Sequence, residues 1–227
     1  MKKLTYKNIK KSFSSSLEDF LIKVIRKIFP RKILYSCKIY ILTLETIKRR
    51  KYWLPKTIEI KFASIKDINA IANCYLTGEP WYQIRDKLIY KKRFEDGHKC
   101  LIANAKNSVV GVVWISKDEY FIEEQNYLLT LNKHSIFIWD GFITPKYRMK
   151  GVYIALLEQL IKILEHKQQS KIYCHIDYEN IHSLNTHLRF GFQIKEEIVF
   201  FSIFSRILLH IIKDKNKKTL KVKFSLK

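Results

Sequence analysis

The spacing of hydrophobic residues along this chain changes repeatedly between the period of a strand and the period of a helix. Runs that alternate or are rich in β-branched residues predict strands at 58–62, 100–105, 109–115, 136–143, 172–176, from Gly191, and at 199–204. Apolar residues three and four positions apart predict helices at 64–75, 81–94, 152–164 and 180–189. Because strands outnumber helices and mix hairpins with crossovers, the order predicts an α/β fold around a mixed sheet.

A separate amphipathic helix is predicted before Pro30. Its apolar positions have helical spacing and are Leu17, Phe20, Leu21, Val24, Ile25, Ile28 and Phe29. Its other face holds Lys23, Arg26 and Lys27. Such a helix either packs on the body of the protein or lies on an anionic membrane or partner. Residues 33–44 are predicted as a strand, and the break at 53–55 marks the predicted boundary of the main domain.

The net charge of +22 is concentrated at the two ends of the chain. Residues 1–57 contribute +13 and residues 205–227 contribute +7, whereas residues 58–204 contribute only +2. We therefore expect a basic N-terminal extension (1–57), a near-neutral domain (58–204) and a basic C-terminal segment (205–227). The basic ends lack regular aromatic interleaving, so nucleic acid is not the expected partner. Two explanations of this charge are open. An AT-rich genome would raise the lysine content without a functional reason, or the basic ends bind an anionic surface.

Other sequence features restrict the class of protein. The four cysteines are far apart and form no C-x-x-C motif, which predicts buried, reduced thiols. No signal peptide pattern and no run of roughly 18 apolar residues is present, so we expect a cytoplasmic protein, with peripheral membrane contact through the N-terminal helix as an open alternative. His175 and His182 have no partner at metal-ligand spacing, so no metal site is predicted.

The stretch from Ile143 to Tyr153 predicts a phosphate site. A β-branched strand there enters a turn that contains proline, and Arg148, Lys150 and Gly151 precede a helix. The first backbone N–H groups of a helix have no intrahelical acceptor, and the positive end of the helix dipole lies behind them. A basic, glycine-containing turn at this position is therefore suited to bind an anion.

A second block lies one helix and one strand downstream and consists of Asn180, Ser183, His187, Gly191 and Phe192. Together with Ile143-Thr144-Pro145, Tyr147-Arg148 and Gly151, it resembles the two motifs of the Gcn5-related N-acetyltransferases, the GNAT family. The resemblance covers about residues 57–204. It implies a GNAT-like acyl-CoA N-acyltransferase fold with a basic N-terminal extension, and acetyl-CoA as the acyl donor.

The resemblance also implies which residues bind acetyl-CoA. The pyrophosphate would lie at the turn formed by Arg148, Met149, Lys150, Gly151, Val152 and Tyr153. The pantetheine arm would pair with the strand at Phe142 and Ile143 and touch Asn180 and Ser183. Two residues depart from the family pattern, because Met149 stands at a glycine position and Tyr153 at a glycine or alanine position. Met149 can point outward, whereas the bulk of Tyr153 would stack, form a hydrogen bond or narrow the site.

The implied catalytic groups are His187 and Asp140. His187 stands where the family has a tyrosine that protonates the departing thiolate, and imidazole can serve as an acid or a base near neutral pH. Asp140 on the central strand is the candidate base for the amine, with Glu123 and Glu124 as alternatives. A core-rim histidine and a structural carboxylate are the competing interpretations of these two residues.

The predicted function is transfer of an acetyl group from acetyl-CoA to a primary amine by direct attack. The alternative is a weak or inert CoA-binding module that its basic ends hold on an anionic surface. The sequence identifies neither the acceptor amine nor the oligomeric state.

Overall fold

The structure is a computed structural model that describes residues 17–44, 57–83, 85–117, 119–122, 125–131, 133–166 and 171–226. The helices in these ranges are α1 (Leu17–Ile28), α2 (Ile68–Leu76), α3 (Pro80–Gln83), α4 (Lys87–Glu95), α5 (Val152–His166) and α6 (Ile181–Phe190). The strands are β1 (Leu34–Leu44), β2 (Glu59–Phe62), β3 (Lys99–Ala105), β4 (Ser108–Lys117), β5 (Glu119–Ile122), β6 (Tyr127–Thr130), β7 (Ser135–Ile143), β8 (Lys171–Asp177), β9 (Gln193–Ile203), β10 (Ile207–Asp214) and β11 (Thr219–Leu226).

The chain divides into two compact units. The terminal unit comprises Met1–Ile41, His175–Leu184 and Ile194–Lys227, and the central unit comprises Leu42–Cys174 and Asn185–Gln193. The mixed α/β fold class is confirmed, because strands pair in both parallel and antiparallel fashion. No helix of the described ranges is both long and apolar enough to cross a membrane. The four cysteines are buried, and none of them forms a disulfide.

The sheet of the central unit has the strand order β2-β3-β4-β7-β8, with β7 and β8 parallel and the other neighbours antiparallel. Near-continuous apolar runs in β3 and β4 are typical of strands that are buried on both faces. One cluster buries α2 and α4 on these strands through Ile71, Ala72, Cys74, Tyr75, Tyr90, Cys100, Ile102, Val109, Val112, Trp114 and Phe142.

A β-bulge interrupts β7 at Asp140. Val112 pairs with Phe142 and Trp114 pairs with Trp139, so two residues of β7 face one residue of β4. Asp140 adopts a left-handed backbone conformation (φ +44°), which aspartate tolerates better than most residues. The pairing of β7 with β8 runs only from Ser135 to Ile138, although β7 continues to Ile143. The parallel ladder therefore ends where the bulge begins.

Two arginines and a tyrosine hold the bulge in place. Asp140 Oδ2 accepts hydrogen bonds from Arg85 Nη1 at 2.6 Å and from Arg93 Nη1 at 2.7 Å. The buried hydroxyl of Tyr75 donates to the Asp140 carbonyl oxygen at 2.8 Å. The Arg93 guanidinium also lies 4.4 Å from the ring centroid of Trp139. We call Asp140, Arg85 and Arg93 the bulge clamp.

The sheet of the terminal unit has the strand order β11-β10-β9-β1-β8, and α1 packs on it through the buried Ile22. The buried ammonium of Lys38 lies 2.9 Å from both Asp19 and Glu197. Lys215 lies 2.8 Å from the other oxygen of Glu197. Burial acts to raise the pKa of Glu197, but the hydrogen bonds from Lys215 and Lys38 outweigh it and hold the pKa below its ordinary value.

Several predicted elements differ from the structure. The single helix predicted at 81–94 is two helices, because the Asp86 side chain accepts from the Leu88 N–H and caps α4. The strand predicted from Gly191 and the one at 199–204 form one continuous strand, β9. The hairpin of β5 and β6 was not predicted, nor were β10 and β11 in the basic segment 205–227. The strand predicted at 33–44 is confirmed as β1. The predicted break at 53–55 lies outside the described residues.

Acid should destabilise the protein through Glu197. A carboxyl whose folded pKa lies below its ordinary value of 4.5 stabilises the fold above that pH. That stability is lost as the pH falls through the folded pKa. Glu197→Gln should lower the free energy of unfolding at pH 7 by about 1–3 kcal/mol and flatten its decline below pH 4.5. Urea titrations across this pH range measure both effects. Glu59→Gln, at an exposed position of β2, should behave like the parent; an equal loss in both variants would contradict the role of Glu197.

Loss of the clamp carboxylate should destabilise the central unit. Asp140→Asn keeps the shape and the tolerance of positive φ but leaves two largely buried guanidinium groups without their counter-charge. We expect the free energy of unfolding to fall by about 3 kcal/mol. Glu95→Gln removes an exposed ion pair with Lys91 and should cost less than about 1 kcal/mol. An Asp140→Asn protein of parental stability would show that the clamp does not stabilise the fold.

Candidate active site

The turn between β7 and α5 leaves the first backbone N–H groups of the helix without an intrahelical acceptor. A 3₁₀ turn at Pro145–Tyr147 follows β7, and Gly151, with φ +76°, precedes α5. The first intrahelical bond runs from the Ala155 N–H to the Gly151 oxygen at 2.9 Å, so the N–H groups before Ala155 have no acceptor within the helix. The first turn of α5 contains no acidic residue. The turn therefore has the polarity of an anion site.

The Arg148 side chain already contacts a carboxylate at this turn. Its Nη1 and Nη2 lie 3.3 and 3.4 Å from Glu79 Oε1, and its Nε donates to the Ile143 carbonyl oxygen at 3.1 Å. This pair is exposed, so a phosphate group can replace the carboxylate on the guanidinium. The ammonium of Lys150 lies 5.5 Å from the ring centroid of Tyr147 and adds a second cation.

Met149 leaves the turn open but strains its backbone. Its φ is +60°, the left-handed region that favours glycine, and its side chain is fully exposed. The side chain therefore does not cover the N–H groups. The backbone adopts the shape that a glycine would give at this position, and the methionine carries a strain of about 1 kcal/mol or more.

Tyr153 and His187 contact each other. The Tyr153 hydroxyl lies 2.9 Å from His187 Nε2, and His187 is 3% exposed and also packs edge-on against Phe192. Burial of the Tyr153 hydroxyl raises its pKa above the ordinary value, so it stays protonated at neutral pH. The Tyr153 ring lies over Gly141, where an added Cβ would meet it at 3.1 Å. The bulky residue at this position, where the family has glycine or alanine, thus packs between the bulge of β7 and the histidine.

The other predicted residues lie as follows. Phe142 pairs with Val112 and is buried against Tyr75 and Tyr82, and Ile143 pairs with Gly111. Val152 is buried at the start of α5. In the terminal unit, the Asn180 side chain accepts from the Ser183 N–H at 3.1 Å, which is the hydrogen bond of a helix N-cap for α6. The structure therefore gives the asparagine of the second block a local structural role.

The candidate base Asp140 is engaged in the bulge clamp. One of its oxygens accepts from both Arg85 and Arg93, and such an oxygen is poorly placed to take a proton from an ammonium. The assignment of Asp140 as the base remains a prediction that this geometry disfavours. Glu123 and Glu124 lie outside the described residues.

The two clamp arginines were not predicted from the sequence. Arg85 and Arg93 belong to a stretch without a distinctive charge pattern. The one available signal was Asp140 itself, because a carboxylate on a strand of otherwise apolar residues requires a cationic partner.

In the described part of the chain, no three His, Cys, Asp or Glu residues are grouped as metal ligands.

Comparison of the sequence with family models identifies one family. The Acetyltransferase (GNAT) family model matches residues 65–192. No curated protein is significantly similar in sequence. A functionally unknown conserved protein from Staphylococcus epidermidis has a similar structure, with a TM-score of 0.55, 15% identity, and coverage of 88% of this chain and 69% of that one.

Two further solved structures are similar to parts of the chain. An acetyltransferase of the GNAT family from Colwellia psychrerythraea has a TM-score of 0.51 and 14% identity, over 84% of this chain and 56% of that one. The putative acetyltransferase yncA from Salmonella typhimurium, solved with its cofactor acetyl-CoA, has a TM-score of 0.45 and 20% identity, over 61% and 80%. Since the family match covers more than half of the sequence, this chain belongs to the acetyltransferase (GNAT) family and is an acetyltransferase.

Proposed function

We propose that the protein transfers an acetyl group from acetyl-CoA to a primary amine by direct attack. The observation that carries the proposal is the turn before α5. Its backbone N–H groups have no acceptor within the helix, it contains Arg148 and Lys150, and it follows the end of β7 that does not pair with β8. A pyrophosphate matches the charge of the turn, and an extended pantetheine arm matches the strand edge next to it.

Each part of the donor has a proposed partner. The pyrophosphate binds the backbone N–H groups at Val152 and Tyr153, and Arg148 exchanges the Glu79 carboxylate for a phosphate oxygen. The pantetheine arm pairs with β7 near Phe142 and Ile143. The roles of Asn180 and Ser183 beside the arm rest on the family motif alone.

The reaction requires two proton transfers. The amine nitrogen attacks the thioester carbonyl carbon, an N–C bond forms, the C–S bond breaks, and the sulfur leaves as a thiolate. The amine must lose a proton and the thiolate must gain one. Because the bulge clamp occupies Asp140, water is the better candidate to remove the amine proton.

The proton for the thiolate comes from the pair of Tyr153 and His187. His187 Nε2 is hydrogen-bonded to the Tyr153 hydroxyl, so the histidine can deliver a proton from this nitrogen only through the phenol or after the phenol has moved. The phenol is protonated at neutral pH, and its ring lies over Gly141, next to the part of β7 with which the pantetheine arm is proposed to pair. We therefore assign Tyr153 as the donor and His187 as the residue that positions and reprotonates it.

Reversal of the charge at Arg148 should weaken donor binding. Arg148→Glu removes a charge-assisted hydrogen bond and adds repulsion, so the dissociation constant for acetyl-CoA should rise at least about tenfold. Isothermal titration calorimetry measures it. Lys162→Glu is the matched control, because it makes the same change in charge at an exposed position of α5 that is far from the turn. Unchanged affinity in Arg148→Glu would refute the pyrophosphate site. Tight binding without any thiol release across a panel of primary amines would instead favour the inert CoA-binding module.

The proton pair can be tested by a double-mutant cycle. Tyr153→Phe removes only the hydroxyl, and His187→Gln keeps a polar side chain without an imidazole. With the amine that gives the fastest thiol release, each variant should lower kcat by about a hundredfold and leave the acetyl-CoA affinity within a few-fold of the parent. The double variant should be little slower than either single variant, because the two groups act as a unit. Multiplicative losses, or a parental rate in either variant, would contradict the assignment.

A further inference from the structure

Helix α1 rests on the terminal-unit sheet by its polar side. Asp19 bonds to Lys38 at 2.9 Å, and Arg26 Nε donates to the Ser36 carbonyl oxygen at 2.7 Å. Glu18 forms an ion pair with Lys213 of β10. Ile22 is the buried residue of this helix. The residues that fix α1 to the sheet are therefore mostly charged.

The apolar side of α1 faces away from the sheet. Leu17, Phe20 and Ile28 are exposed to 75%, 58% and 65%, and Leu21 is also exposed. Lys23 and Lys27 are exposed beside this side of the helix. The helix therefore packs on the body of the protein through Ile22 and its charged residues, and it leaves Leu17, Phe20, Leu21 and Ile28 exposed. An amphipathic helix that buries its polar side leaves a large apolar area to be covered.

Strand β11 extends this apolar area. Leu220, Val222 and Phe224 alternate along the strand, so they share one face, and all three are exposed. Leu220 is the register partner of Lys213, which pairs with Glu18 of α1. The three residues therefore lie on the side of the sheet that carries α1. We name Leu17, Phe20, Leu21, Ile28, Leu220, Val222 and Phe224 the terminal surface.

Cations surround the terminal surface. The turn that joins β10 and β11 contains Lys215, Lys217 and Lys218. A cavity of about 370 Å³ near the end of α1 is lined by Arg26, Phe29, Arg31, Leu34, Tyr35 and Asp177. The Arg31 guanidinium in it lies 4.5 Å from the ring centroid of Tyr35. The Arg31 guanidinium beside this ring is suited to a phosphate group, whereas Arg26 is already paired with Glu179 at 2.6 Å.

We propose that the terminal surface binds the face of an anionic phospholipid bilayer. An apolar stripe bordered by lysines matches the boundary between acyl chains and charged headgroups, and each cation near such a surface adds attraction. The sequence segments that contain this surface carry +13 (1–57) and +7 (205–227). A second copy of the chain would bring like charges together, and a nucleic acid would leave the apolar side chains uncovered.

The test is co-sedimentation of the full chain with vesicles. Phosphatidylcholine vesicles with about 30% phosphatidylserine should bind the protein, and pure phosphatidylcholine vesicles should bind it weakly. Binding should decrease when salt is raised from about 0.1 M to about 0.5 M. Leu17→Glu with Phe20→Glu should weaken the partition about tenfold or more, and so should Val222→Glu with Phe224→Glu.

The control is a double variant that adds the same two negative charges at exposed leucines of the central unit. Leu88→Glu with Leu128→Glu should bind vesicles like the parent. Acetyl-CoA affinity should be parental in all three double variants, so that failure of this proposal is distinct from failure of the donor site. Equal binding to both vesicle types, or parental binding by the terminal-surface variants, would overturn the proposal. So would a self-association of the parent, seen by analytical ultracentrifugation, that the same substitutions abolish while vesicles do not bind.

Discussion

The bulge at Asp140 is the constraint on which the central unit depends. A strand that pairs along its whole length with both neighbours offers no backbone to a ligand. Here the extra residue disrupts β7 at the point where its parallel ladder with β8 ends. Asp140 can hold this left-handed shape only because both its carbonyl oxygen and its carboxylate accept hydrogen bonds. Tyr75 of α2 bonds the carbonyl oxygen, and Arg93 of α4 and Arg85, between α3 and α4, bond the carboxylate. The same ion pairs that stabilise the fold thus keep the candidate base occupied.

The turn between β7 and α5 combines basic side chains with a backbone shape that does not come from glycine alone. Met149 adopts a glycine conformation at some cost in strain and points its side chain into solvent. Tyr153 fills the space that a small residue would leave, and it does so over Gly141, the residue next to the bulge. The two departures from the family motif therefore have different consequences. Met149 changes the energy of the turn but not its shape, whereas Tyr153 adds a hydroxyl that reaches His187.

In the terminal unit, charged residues fix the helix to the sheet. The ion pairs include a buried lysine between two carboxylates, and Leu17, Phe20, Leu21 and Ile28 point outward. Salt bridges of this kind specify an orientation more than they add stability, because the removal of the charges from water offsets most of their attraction. The orientation leaves the helix and the outer strand with apolar residues on the same side of the sheet.

The sequence alone determined those properties that depend on local spacing. The strand-turn-helix at 143–153, the second motif at Asn180–Phe192 and the strand-rich order were readable because backbone periodicity and helix-terminus chemistry are local. The end of the β7–β8 ladder, the convergence of Arg85 and Arg93 on Asp140, and the bond between Tyr153 and His187 join residues up to 55 positions apart in sequence. The periodicity of α1 correctly predicted which residues form its apolar side, but it did not predict that this side would face away from the sheet. Which side of an amphipathic helix is buried depends on the partners that the sheet presents, and here Lys38, Ser36 and Lys213 bind the polar side. Only the tertiary structure could decide that, because burying a charged side requires specific counter-charges whereas burying an apolar side requires only another apolar surface.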